Sequence, residues 1–236
     1  MELQKYMRIR RFSNMKKMRL LSKICISVIS TTLVMVVALG VGLKSDTKVV
    51  KAVENNLQSM RKMLENNSGN SEVMMSSNPY DYIKNNKYYD QIVSFGIDAV
   101  PVLEEQIESG EVEGLCAYLS ALAIEDITSC KIGNKPNYEW DSAPQFSTKW
   151  KEYVENISCE MESILSDENT SMQGKIKKIK DYGIFGVLVV DDLEKNAKWV
   201  SKFETREINM LKNYVKEMNV SKQDKEKIKD YLKLHK

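Results

Sequence analysis

The chain has 236 residues, of which 42% are hydrophobic and 29% are charged. This composition is typical of a folded globular protein, and it excludes a disordered chain and a multispanning membrane protein. The formal net charge of +2 is distributed unevenly, because residues 1–43 contain eight basic residues and one acidic residue. The remaining residues therefore carry a net charge of −5.

The first predicted element is an apolar segment, Ile24–Leu43, which has 20 uncharged residues and follows a basic tail, residues 1–23. Such a segment is long enough to cross a bilayer core of about 30 Å, and the basic tail is expected to stay in the cytoplasm. The sequence therefore predicts a single-pass membrane anchor with the bulk of the chain outside the cytoplasm. The alternative is a signal peptide cleaved near Ala38-Leu39-Gly40, which would release a secreted protein.

Residues 44–77 are predicted to form a helical stalk followed by a polar linker. The stalk carries apolar residues at successive steps of three and four, namely Val50, Val53, Leu57, Met60 and Leu64. This spacing matches the seam of a coiled coil but covers only two heptads. A plain helical stalk and a homodimer formed through this seam are both compatible with the pattern.

Residues 78–165 are predicted to begin the folded part as an acidic helical lobe. Asn78 has the character of an N-cap and Pro79 that of a first helical residue, while Gly96 ends the helical pattern that follows. A second helix runs to Ser109-Gly110. The third, residues 114–127, consists almost entirely of small and apolar residues, so we expect it to be buried on more than one side.

Residues 166–236 are predicted to form a basic helical lobe, after a long helix with apolar positions from Phe146 to Ile164. Residues 183–190 are apolar enough for a buried strand, but a single strand would have no partner, so we interpret them as the start of a buried helix. Two further helices are predicted, one over residues 208–218 and one capped by Ser221.

Two glycine hinges suggest an internal repeat. When Gly96 is aligned with Gly183, Ile92 matches Ile179 and Val100 matches Val187. Repeated hinges of this kind allow amphipathic helix pairs to stack and to bury faces that one pair cannot bury alone. The predicted fold is all-α, with antiparallel helix pairs stacked as a short HEAT-like solenoid or an irregular bundle. A chance match between helical segments is the alternative.

The run from Asn78 to Thr128, followed by Trp140 and the STKW of Ser147–Trp150, resembles an uncharacterised HEAT-like helical-repeat domain of exported or membrane-anchored Gram-positive bacterial proteins. The resemblance covers residues 78–154 and rests on helix caps, the glycine hinge and core aliphatic residues. Some relatives carry this domain beside membrane metalloprotease homologues of the antibiotic-sensor type. The resemblance implies a fold, and it offers no catalytic motif.

Candidate nucleophiles and metal ligands are few. The only histidine, His235, is the second-last residue and is predicted to be exposed at a frayed helix end, which excludes triads and multi-histidine metal sites. Cys116 is predicted to be a buried thiol. Cys130 and Cys159 lack zinc-ligand spacing but could form a disulfide outside the cytoplasm. Phosphate-binding and calcium-binding loop motifs are absent from the sequence. No catalytic, cofactor-binding or metal-binding residue is therefore predicted.

Three acidic doublets remain as candidate chemistry, namely Glu104-Glu105, Glu125-Asp126 and Asp191-Asp192. A glycan hydrolase needs two carboxylates that face each other across a cleft, whereas adjacent residues on a helix point in different directions. Glu125 is the best candidate for a carboxyl with a perturbed pKa, because it ends an otherwise buried helix. A role in capping a neighbouring helix or in pairing with a lysine is the simpler interpretation.

Charge is strongly segregated along the folded part. Residues 72–168 contain 19 acidic and 6 basic residues, while residues 169–236 contain 16 basic and 10 acidic residues. This pattern favours docking between lobes of one chain or pairing between chains, and the basic end could also contact anionic lipid or wall polymer. Nucleic acid is not an expected partner outside the cell.

The predicted function is that of a non-catalytic scaffold or sensor module that binds an envelope protein. A carboxylate-based envelope hydrolase and a binder of anionic polymer or lipid are the alternatives.

Overall fold

A computed structural model describes residues 47–66, 76–195 and 204–235 of the protein. These residues lie in one compact unit, which spans Ser45–Lys236. The described part is all-helical and contains no strand, as predicted. None of its helices is both long and apolar enough to cross a membrane. The predicted anchor, Ile24–Leu43, lies outside the described residues, as does most of the linker.

Ten α-helices make up the described fold, with 3₁₀ turns at Gly96–Ala99 and Ile132–Asn134. In chain order they are α1 (Thr47–Glu65), α2 (Tyr80–Ile83), α3 (Lys87–Ser94), α4 (Val100–Glu108), α5 (Gly114–Thr128), α6 (Ala143–Ser166), α7 (Met172–Lys180), α8 (Gly183–Lys195), α9 (Thr205–Met218) and α10 (Lys222–Leu234).

Helix α1 belongs to the folded unit, which corrects its interpretation as a separate stalk. It packs against α3 of the same chain. Three of its seam residues, Val53, Leu57 and Met60, are at most 2% exposed. The amphipathic spacing was recognised, but spacing alone cannot distinguish a partner chain from the rest of the same chain. A homodimer through this seam stays a prediction. Its formation would require α1 to give up its contacts with α3 of its own chain.

The first helix of the acidic lobe begins one residue later than predicted, because α2 starts at Tyr80 and Pro79 occupies the N-cap position. The Asn78 side chain accepts a hydrogen bond from the Tyr80 N–H at 3.2 Å. Asn85 then adopts a left-handed conformation, and the Asn86 side chain caps α3 by accepting from the N–H groups of Tyr88 and Tyr89. Helix α5 buries ten of its residues, which confirms the expectation that it is buried on more than one side.

Both glycine hinges occur between consecutive helices. Gly96 has φ = +59° and follows α3, while Gly183 has φ = +49° and begins α8. Residues 183–190 are helical, as predicted, and the aligned residues Val100 and Val187 are both fully buried. The two hinges therefore share a backbone conformation and a position between helices.

The acidic and basic lobes are joined by aromatic packing. Trp150 of α6 contacts Phe185 of α8, with ring centroids 6.2 Å apart. Tyr153 stacks on Tyr182 at 5.9 Å. A second core lies within the basic lobe and is formed by Ile176, Ile179, Val187, Val190, Leu211 and Tyr214.

Helix α10 carries basic residues onto the acidic lobe. Lys227 forms an ion pair with Asp98 of the acidic lobe at 2.5 Å, whereas Lys225 pairs at 2.7 Å with Asp191 of α8, within the basic lobe. Docking between lobes of one chain, one of the two arrangements predicted from the charge segregation, is therefore present in the structure.

Candidate functional site

His235 is not an exposed, frayed residue, which corrects the prediction made from its position in the sequence. Its side chain is only 14% exposed. Nδ1 lies 3.0 Å from the carbonyl oxygen of Tyr231, a contact that requires a proton on Nδ1 because a carbonyl only accepts. Nε2 faces Oε2 of Glu104 at 3.8 Å. The prediction failed because α10 continues to Leu234 and docks on the lobe that contains Glu104.

Glu104 is at the centre of a polar cluster, which we define as Glu104, Trp150, Tyr231 and His235. Its Oε1 atom accepts hydrogen bonds from the Trp150 indole N–H at 2.5 Å and from the Tyr231 hydroxyl. The indole N–H also lies 2.8 Å from the Tyr231 hydroxyl oxygen. The Glu104 cluster thus ties α4, α6 and α10 together.

Burial raises the pKa of the Glu104 carboxyl above its usual range, because the ionised form loses contact with water. The hydrogen bond from Tyr231, the facing His235 and the hydrogen bond from Trp150 oppose this shift. Glu125, and not Glu104, was the carboxyl predicted to have a perturbed pKa. Lys227, Tyr231 and His235 follow one another at intervals of four residues, which places them on one face of a helix. This spacing could have indicated a polar docking surface.

A surface pocket of about 430 Å³ adjoins the Glu104 cluster. Its lining residues are Pro101, Glu104, Glu105, Glu108, Ser109, Lys151 and His235. Glu104 and Glu105 both border this pocket, although adjacent residues on a helix were expected to point apart. Glu108, one turn after Glu104, accepts hydrogen bonds at Oε1 from Lys151 at 3.1 Å and Ser147 at 3.2 Å. The pocket is therefore acidic, and two of its acids, Glu104 and Glu108, already accept hydrogen bonds from neighbouring side chains.

Ser109 and His235 share this pocket, so a nucleophilic arrangement has to be considered. The Ser109 hydroxyl lies 3.5 Å from the Gln106 carbonyl oxygen and accepts from the Glu111 N–H at 3.4 Å. Within the described residues, no hydrogen bond joins Ser109 to His235. An activated serine needs such a bond to its base. The Ser109 hydroxyl instead contacts the backbone at the end of its own helix.

Glu125 is buried, and burial raises the pKa of its carboxyl, as expected from its position on α5. Its Oε1 accepts from the Gly133 N–H at 3.2 Å and from the Trp140 indole at 3.3 Å. Gly133 belongs to the Ile132–Asn134 turn, so Glu125 does bind a neighbouring 3₁₀ helix. The lysine pair belongs to the adjacent residue, because Lys131 contacts Asp126. Both acids therefore anchor the loop after α5.

In the third doublet, Asp191 also has a structural role, because it forms an ion pair with Lys225. The side chain of Asp192 lies outside the described part. Among the described residues, no group of three or more His, Cys, Asp or Glu side chains is placed to hold a metal ion.

Cys116, Cys130 and Cys159 are all free thiols. Cys116 and Cys130 are buried, whereas Cys159 is exposed on α6. Cys130 lies 3.0 Å from the Tyr182 carbonyl oxygen, and burial raises the pKa of its thiol to about 12. The possible disulfide between Cys130 and Cys159 is therefore not present in this structure.

We expect maleimide to label Cys159 in the native chain and to spare Cys130 and Cys116, because the thiolate is the reactive form. Mass spectrometry of a Cys25→Ser variant would measure this, since Cys25 lies outside the described residues. Cys159→Ser in the same background should then abolish labelling until the chain is unfolded. Labelling of Cys130 as fast as Cys159 would contradict the buried position.

No protein-family model, curated protein or solved structure gave a match to this chain.

Proposed function

We propose that this protein is a membrane-anchored, extracytoplasmic helical module without catalytic activity that binds a basic segment of another envelope protein. The proposed location rests on the basic tail and the uncharged run Ile24–Leu43. The proposed HEAT-like stacking of helix pairs is supported by the two left-handed glycine hinges and by the packing of α4 on α5 and of α7 on α8.

The observation that carries this proposal is the uncompensated acidic surface of the first lobe. Several exposed acids there form no ion pair with any described residue, namely Asp90, Glu105, Glu111, Glu113, Glu139, Asp141, Glu155, Glu162 and Glu168. Charged surfaces of one sign recruit partners of the opposite sign and set the rate of encounter. The same lobe already binds a basic helix of its own chain through Asp98 and Glu104.

The test is affinity capture from solubilised envelope with the full chain as bait. Glu105→Gln/Glu113→Gln removes two exposed charges without opening the core. We expect the variant to retain a specific partner about fivefold less well than the parent chain, by the usual size of charge effects at an interface rim. Quantitative mass spectrometry at low and moderate salt would measure the retention.

Glu217→Gln/Glu226→Gln is the matched control, because it removes the same number of charges from exposed positions of the basic lobe. The control should retain the partner as the parent does. Equal losses in both variants would mean that only net charge matters, and no loss in either would contradict recognition through the acidic lobe.

An envelope hydrolase that uses carboxylates is the second candidate. It is favoured by the pocket that contains Glu104, with its raised pKa, and Glu108 one turn away. Two carboxyl groups in different environments are the basis of general acid and base assignments. Release of soluble fragments from purified wall by the parent chain, but not by Glu108→Gln, would favour this candidate over the binding module.

Binding of anionic polymer or lipid is the third candidate. It is favoured by exposed basic residues on α7 and α9, including Lys177, Lys178, Lys212 and Lys216. Deletion of residues 220–236 would be a poor test, because it would also expose the aromatic residues Trp150 and Phe185, which are buried while α10 is in place. Replacing these four lysines with glutamine should instead abolish salt-sensitive binding to anionic vesicles if this candidate is correct.

A further inference from the structure

Helix α10 is held on the body by few apolar contacts. Only Ile228 and Tyr231 are buried in this helix, whereas α6 buries seven residues. A short connection, Asn219–Ser221, separates α10 from α9, and Asn219 adopts a left-handed conformation with φ = +48°. Segments with few buried apolar contacts open at a lower free energy than the core.

The surface beneath α10 has an aromatic floor and an acidic rim. We define the α10 groove as Asp98, Glu104, Trp150, Phe185 and Asp191. Trp150 and Phe185 are each 1% exposed while α10 is in place. The rings of Phe185 and Tyr231 stack at 6.2 Å. The three acids come from different elements, the Gly96–Ala99 turn, α4 and α8.

The contacts of α10 specify what this groove recognises. Lys225 and Lys227 pair with Asp191 and Asp98, and the Tyr231 hydroxyl donates to Glu104. The groove thus contacts two lysines and, four residues after the second, an aromatic residue with a hydroxyl. Lys227 and Tyr231 are four residues apart, the spacing at which a groove contacts one face of an amphipathic helix, whereas Lys225 lies two residues before Lys227 and points in a different direction, toward Asp191.

We propose that the α10 groove is a docking site for a basic amphipathic helix of a partner protein, and that α10 is the occupant present in the free chain. This inference rests on the proposed function and deepens it by naming the chemistry of the partner segment. A partner helix with the pattern Lys-x-Lys-x₃-aromatic displaces α10, because it makes the same ion pairs and fills the same aromatic floor.

The experiment uses the full chain and a fluorescent peptide with the sequence of residues 221–235. In the variant Lys225→Glu/Lys227→Glu, α10 is repelled by Asp191 and Asp98, while the groove itself is unchanged. An intramolecular occupant competes at an effective concentration of about millimolar. We therefore expect the peptide to bind this variant at least about tenfold more tightly than it binds the parent chain.

Two matched controls sharpen the result. Lys222→Glu/Lys233→Glu makes the same charge change on exposed positions of α10, and this chain should behave like the parent. A peptide with Tyr231→Ala should lose binding to the Lys225→Glu/Lys227→Glu chain. Equal binding to all three chains, or equal binding of both peptides, would overturn the proposal.

Hydrogen exchange of the parent chain gives a readout that does not depend on any variant. Backbone amides of α10 should exchange at least about 100-fold faster than those of α6 near Trp150, because α10 opens without unfolding the core. Equal protection in both helices would overturn the proposal. If the peptide and exchange experiments fail but Glu105→Gln/Glu113→Gln weakens partner retention, only the docking site in the α10 groove is contradicted. If the retention test fails as well, the proposed function is contradicted.

Discussion

Gly183→Ala is expected to lower the free energy of unfolding by about 3 kcal/mol or more, while Gly96→Ala should lower it by only about 1 kcal/mol. Both glycines have positive φ, so both variants include the cost of forcing alanine into the left-handed region. The difference arises from packing. A Cβ atom at Gly183 would overlap the carbonyl oxygen of Thr128 and lie 2.6 Å from that of Ser129, whereas a Cβ atom at Gly96 meets nothing within 4 Å.

Urea unfolding of Ser45–Lys236, which forms one compact unit, would measure both losses by circular dichroism. The two variants are matched, because the aligned hinges share the substitution and the backbone conformation. Similar small losses would mean that the loop after α5 shifts to accommodate the methyl group. A large loss at Gly96 would contradict its open surroundings.

Glu104→Ala is expected to lower the free energy of unfolding by about 2 to 4 kcal/mol. The substitution leaves the Tyr231 hydroxyl and the Trp150 indole N–H without their shared carboxylate acceptor in a buried position. Glu104→Gln retains a carbonyl oxygen that can accept both hydrogen bonds. It also removes a buried charge, so its stability at pH 7 should equal or exceed that of the parent by about 1 kcal/mol.

The difference in stability between the parent chain and Glu104→Gln is expected to change with pH in a definite direction. A carboxyl whose pKa is raised by folding stabilises the protein fully below its unfolded pKa, and this contribution is lost as the pH rises through the folded pKa. Burial raises the folded pKa of Glu104 above its usual range. The advantage of the glutamine variant should therefore be smallest at acidic pH and should grow as the pH increases toward neutrality.

Thermal or urea unfolding between pH 4 and pH 8 would test this trend. Glu105→Gln is the matched control, since Glu105 borders the same pocket but is exposed, and its effect should stay within about 0.5 kcal/mol at every pH. A parent chain that becomes more stable relative to Glu104→Gln as the pH rises would show that His235 and the hydrogen bonds outweigh the cost of burying the charge.

Local signals in the sequence were sufficient for most of the helices. Ser221 was correctly recognised as a cap, and Asn78 as a hydrogen-bond acceptor next to a helix start, because both contacts lie within three residues of the side chain. Burial of α5 followed from its composition alone. The all-α class could be predicted for the same reason, since helical hydrogen bonds are local.

The candidate site could not be predicted in this way, because its residues are far apart in the chain. Glu104 and Tyr231 are separated by 127 positions, and Trp150 and Tyr231 by 81. Glu125 was correctly chosen as a buried acid because its own helix is apolar. Glu104 was missed because its burial is created by another helix.

The sequence by itself determined the helical class, the caps, the hinge glycines and the segregation of charge, since each depends on neighbouring residues or on composition. Tertiary structure alone decided that α1 packs on its own chain, that Gly183 is crowded while Gly96 is open, and that His235 faces Glu104. The physical reason is that burial and pKa depend on which distant surfaces meet, and helical periodicity specifies a buried face without specifying what covers it.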